Sequence, residues 1–131
     1  MSAKLIFPQE IEVWYVLPLI RKKIALKMVE EGLQQKKVAE IMGITPAAVC
    51  QYKSSKRAKK DFFDDDMNKE LKTSIKKIIK DHKALAKEII KLSEMAKGKG
   101  IICKLYKDKC ALNDLSKDCP YCYKSKEEKQ K

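Results

Sequence analysis

Two short helical runs meet at Gly43-Ile44-Thr45-Pro46, and this tetrapeptide constrains the fold more tightly than any other part of the chain. Gly43 enters the left-handed region without a Cβ penalty, so a helix of about Gln34 to Met42 ends there. Thr45 can accept a hydrogen bond from a free amide of the next helix, and Pro46 carries a φ already suited to a first helical position. A second helix, about Pro46 to Ser54, therefore starts sharply. Small or apolar residues stand where two helices crossing steeply through a tight turn require them. Ala39 lets the axes approach, Ile44 fills the space under the turn, and Val38, Ile41, Val49 and Tyr52 close the interface toward the preceding helices.

Apolar residues at Ile11, Trp14, Tyr15, Leu17, Leu19, Ile20, Ile24, Leu26, Met28 and Val29 predict helix with a broad buried face over residues 9–31. Pro18 lacks an amide donor and crowds the preceding turn. The expectation is a first helix ending near Val16 or Leu17 and a second starting at Pro18 and stopping at Gly32. Over 64–97, Leu71, Ile75, Ile78, His82, Leu85, Ile89, Leu92 and Ala96 follow alternating spacings of four and three, the seam of one long amphipathic helix. Ile79, Ala86 and Ile90 widen the stripe, and Asp64, Asp65 and Asp66 complement the dipole at its start. The expected fold class is all-α: a helix-turn-helix bundle of four or five helices over 8–60, the long helix over 64–97, and a small cysteine-rich segment over 101–123. Residues 124–131 contain no apolar side chain and are expected to form a disordered basic tail.

The chain has 131 residues, which limits it to a modest core, and a formal charge of +12. Each Lys or Arg near a phosphate can displace a condensed counterion, so polyanions are the natural partners. Residues 1–60 carry twelve Lys or Arg against five Asp or Glu, which concentrates the excess around the paired helices. No stretch supplies the ~20 apolar residues that cross a bilayer, so no membrane is expected. The opening Met1 to Pro8 lacks the apolar block of a signal peptide, and the expected compartment is the cytoplasm.

The stretch from Gln35 to Ser54 resembles the Cro/C1-type (XRE-like) helix-turn-helix regulators, with Gln35, Ala39, Gly43, Ile44, Thr45, Val49 and Tyr52 at the matching positions. Cys50 departs from that pattern, standing where such proteins often have Ser. The lead-in Leu17-Pro-Leu-Ile-Arg21 is similar to that of a group of small prokaryotic regulators with this domain. The resemblance implies a DNA-binding domain over about 8–60 and regulation of transcription. On this reading Thr45, Pro46, Ala47, Gln51 and Ser54 face the major groove of double-stranded DNA, with Gln51 able to pair bidentately with adenine. Lys36, Lys37, Lys53, Ser55, Lys56 and Arg57 are the phosphate-binding candidates, which set register without reading bases.

One such domain covers only a half-site, so the long helix is expected to pair with its copy as a homodimer, His82 facing its symmetry mate or a neighbour as a half-buried polar residue. Its alternative is that the stripe packs back onto the chain's own N-terminal domain. Cys103, Cys110, Cys119 and Cys122 fall within twenty residues, the last two bracketing Pro120-Tyr121. Four thiolates can complete a zinc site or hold an iron–sulfur cluster, and reversible thiol oxidation is the further alternative. The regulator is thereby expected to respond to metal or redox state. Other readings are a zinc-knuckle RNA-binding module and an antitoxin-like regulator acting with a partner protein. No catalytic site is expected: the chain has no phosphate-cradling Gly-rich loop, and His82 is its sole imidazole.

Overall fold

A computed structural model describes residues 7–54 and 61–101, and every regular element among them is helical. In order these are α1 (Pro8–Ile11), a π-helical turn (Glu12–Val16), α2 (Leu17–Glu30), α3 (Gln35–Met42), α4 (Pro46–Lys53), α5 (Asp65–Lys80), a 3₁₀ turn (His82–Ala84) and α6 (Leu85–Gly98). The all-α expectation holds. The described residues fall into two compact units, one of 7–17 with 93–101 and one of 18–54 with 61–92. The cysteine segment beyond residue 101 and the basic tail lie outside the described residues.

In the first unit the chain does not break before Pro18. Instead the turn Glu12–Val16 widens, and the Leu17 amide donates to the Glu12 carbonyl five residues back. A π turn adds a residue to the helical circuit. It precedes the proline, whose ring crowds the carbonyl four residues earlier. The helical run therefore continues where an interruption is expected from Pro18 alone. Ile11, Val16, Ala96 and Ile101 are buried, and the Ser93 hydroxyl donates to the Glu12 carboxylate at 2.5 Å. Trp14, expected on the buried face, is 54% exposed.

In the second unit α2 buries Leu19, Ile20, Ile24, Ala25 and Met28 along one side. It stops as expected at Gly32, whose φ of 105° lets the Leu33 amide return to the Met28 carbonyl at 3.1 Å. Asp64 caps α5 by accepting from the Met67 amide at 2.9 Å, and Asp65 and Asp66 lie in its first turn.

The single helix expected over 64–97 is not formed. Asp81 adopts φ −146°, ψ 104°, ends α5, and accepts from the Lys83 amide at 3.1 Å to start the 3₁₀ turn. Aspartate offers the backbone a local partner outside a helix, and here that preference outweighs an unbroken heptad pattern. The chain reverses at this point. The Ser74 hydroxyl donates to Glu88 at 2.6 Å, and Lys91 bridges Glu70 at 2.5 Å and Glu88 at 2.7 Å, an antiparallel register centred on residue 81. The seam positions Leu71, Ile75, Ile78 and Leu92 are buried within one chain. His82, expected to be half-buried, stands exposed at the reversal, and Ile79, Ala86 and Ile90 are exposed as well. Part of the seam on which the expected homodimer was to rest is thus covered within one chain, while Leu85 and Ile89 are half-buried.

Candidate nucleic-acid interface

α3 ends where Gly43 takes φ 67°, ψ 33°, and the Ile44 amide returns to the Ala39 carbonyl at 3.0 Å. These bonds satisfy carbonyls that the end of a helix leaves open. Two residues later Thr45, in extended conformation, accepts from the Ala48 amide at 3.1 Å, and Pro46 opens α4. The chain thus changes direction within three residues, and α4 packs on α3.

The packing divides α4 into two faces. Val49 is fully buried and Tyr52 nearly so, joined by Val38 and Ala39 of α3, while Ile41 and Ile44 are half-buried. Thr45, Pro46, Ala47, Gln51, Lys53 and Ser54 are exposed. All five residues expected to read bases therefore lie on accessible surface. Two of them already spend part of their hydrogen-bonding capacity locally: Thr45 Oγ1 holds the cap, and the Ser54 hydroxyl donates to the Gln51 carbonyl at 2.9 Å. The Thr45 hydroxyl proton and the Gln51 side-chain amide remain the groups best able to meet a base or a phosphate.

The electrostatics of this surface are simple. Lys36, Lys37 and Lys53 are exposed around the paired helices, and Glu40 is the sole carboxylate between residues 35 and 54. Its contact with Lys37 is a loose 3.7 Å pair between exposed groups, which salt and water screen. Ser55, Lys56 and Arg57 lie outside the described residues, as do Cys103, Cys110, Cys119 and Cys122. Among the described residues no cluster of His, Cys, Asp or Glu is arranged to hold a metal ion.

Cys50 was absent from the expected reading set, yet it is exposed as a free thiol. It follows Pro46 by four residues and Ala47 by three, the spacing that puts side chains on one helix face. That spacing was available in the sequence. Elsewhere in the second unit, a cleft of about 290 Å³ is lined by Lys23, Leu26, Lys27, Glu30, Asn68, Leu71 and Lys72. Its two inner lysines are engaged, Lys23 by Asp61 at 2.5 Å and Lys27 by Glu30 at 3.0 Å.

No described helix is long and apolar enough to cross a membrane. No family model, curated protein or solved structure matches the chain.

Proposed function

We propose that this chain is a sequence-specific binder of double-stranded DNA that regulates transcription, with α3 and α4 acting as a helix-turn-helix and α4 lying in the major groove. The observation that carries this reading is the division of α4. Its inner face buries Val49 and Tyr52, while small side chains and Gln51 stand exposed beyond a capped N-terminus. Small residues let the helix backbone approach base edges closely, and the capped start gives the leading end a defined direction. Lys36, Lys37 and Lys53 contact phosphates and set the register, and Gln51 pairs with adenine.

Selection of bound duplexes from a random pool tests the reading. Wild-type protein should enrich a defined site. Gln51→Ala should lose discrimination at one base pair, at a cost of about 1–3 kcal/mol there, while Lys53→Gln should weaken all sites alike. Enrichment of no motif, or displacement from the best duplex by single-stranded RNA, would overturn it. Cys103, Cys110, Cys119 and Cys122 remain the proposed zinc or iron–sulfur ligands through which metal or redox state acts on the regulator. Protein purified without oxygen is brown if a cluster is bound and colourless if zinc is bound, and metal content near zero removes both.

A further inference from the structure

On α5, a second helix of the same unit, the apolar and charged residues are segregated. Met67, Leu71, Ile75 and Ile78 are buried, whereas Lys69, Lys72, Lys76 and Lys80 are exposed. Steps of three, four and four place these lysines in one row on the solvent face. None of the four forms an ion pair with a described carboxylate. Of the acidic residues of the helix, Asp65 and Asp66 occupy the first turn, four and three residues ahead of Lys69 at the start of the row, and Glu70 is held by Lys91. Lys77 is outside the row, acting on Glu88.

A surface helix is ordinarily strengthened by alternating Glu and Lys at this spacing, and a row of like charges repels itself. The row becomes favourable when a polyanion lies along it. From Lys69 to Lys80 it extends about 16 Å at the helical rise, long enough to meet several successive phosphates of a DNA strand. A lipid surface fits less well. Helices that settle into a bilayer interface present an apolar face to it, and the apolar face of α5 is consumed by the core.

We infer that the Lys69-Lys72-Lys76-Lys80 row is a second DNA-contacting surface that tracks the phosphate backbone without reading sequence. The inference rests on the duplex-binding reading above but uses no residue of α3 or α4. Duplex bound here adds affinity for any sequence, through counterion release.

Lysine acetylation followed by mass spectrometry separates the two surfaces in the unsubstituted 131-residue chain. Random-sequence duplex should slow acetylation of all four α5 lysines, and added salt should restore it. In binding titrations, Lys→Gln at the four positions together should reduce the slope of log affinity against log salt by about 3 to 4, with the preferred site unchanged. Protection of Lys36, Lys37 and Lys53 without protection of the α5 row overturns this inference and leaves the α4 reading standing. Protection of the row alone upholds it and counts against α4. Stronger protection by phosphatidylserine vesicles than by duplex overturns it in favour of a membrane partner, and no protection by duplex at any lysine overturns both.

Discussion

Two residues, Gly43 and Thr45, decide the turn on which the candidate interface depends, each by a different physical route. Gly43 sits at φ 67°, and a Cβ built there meets no atom within 4 Å, so the cost of a side chain is backbone strain alone. Gly43→Ala should lower unfolding stability by about 1–2 kcal/mol in urea titrations, and Gly43→Asn by less, because asparagine tolerates the left-handed region. Thr45→Ala removes the cap acceptor for the Ala48 amide and should cost about 1 kcal/mol, whereas Thr45→Ser should restore most of it. Ala47 is exposed. Ala47→Glu should leave the thermal midpoint nearly unchanged while abolishing duplex binding in a gel-shift titration, since a carboxylate would be driven against the phosphates. A variant that still binds duplex normally would remove α4 from the groove.

At the scale of elements, the α5–α6 reversal is the feature least visible in the heptad pattern and the one with a built-in pH signature. Burial opposes ionisation of Glu88. Hydrogen bonds from Lys91 and Ser74, with the charges of Lys91 and Lys77, outweigh it and hold the carboxyl below its ordinary range. For Lys91, burial works against the charge, and the hydrogen bonds and charges of Glu70 and Glu88 overcome it and raise its pKa. A lowered carboxyl pKa contributes stability that is present above the unfolded value of about 4.3 and is lost as pH falls through the folded value. A raised lysine pKa contributes stability that is complete below about 10.4 and is lost only as pH climbs through the folded value. The expected outcome is a wild-type stability plateau across neutral pH with an acid limb below about pH 4. Glu88→Gln should flatten that limb in unfolding titrations while keeping an acceptor for Ser74. Ser74→Ala should cost about 1 kcal/mol without moving the limb's origin away from Glu88.

For the whole molecule, the internal use of the seam bears on assembly. Because Leu71, Ile75, Ile78 and Leu92 are buried within one chain, sedimentation of the free protein should give a monomer of 15.1 kDa, with two copies assembling only on a duplex carrying two half-sites. A dimer persisting without DNA would point to the apolar side chains left exposed, among them Trp14 and Ile90. The excess of cations makes every such measurement salt-dependent, so affinities are comparable only at one ionic strength.

Where the information is local, the amino-acid sequence alone was sufficient. The limits of α3 and α4, the cap at Thr45, the left-handed Gly43, the stop at Gly32 and the start of α5 at Asp64 all follow from interactions spanning a few residues. So does the outward placement of the candidate reading residues, because a fixed helical period allots faces once the buried positions are identified. Three features required the packed chain. The π turn ahead of Pro18 keeps a helical run intact that proline chemistry alone would end. At Asp81 the reversal sets one local cap against a seam of many residues. An apolar stripe can be covered by a copy of itself or by other parts of its own chain, and only the packed chain shows Leu71, Ile75, Ile78 and Leu92 buried without a second copy. Exposure of His82 and Trp14 was settled in the same way, since burial is a property of neighbours brought together from distant parts of the chain.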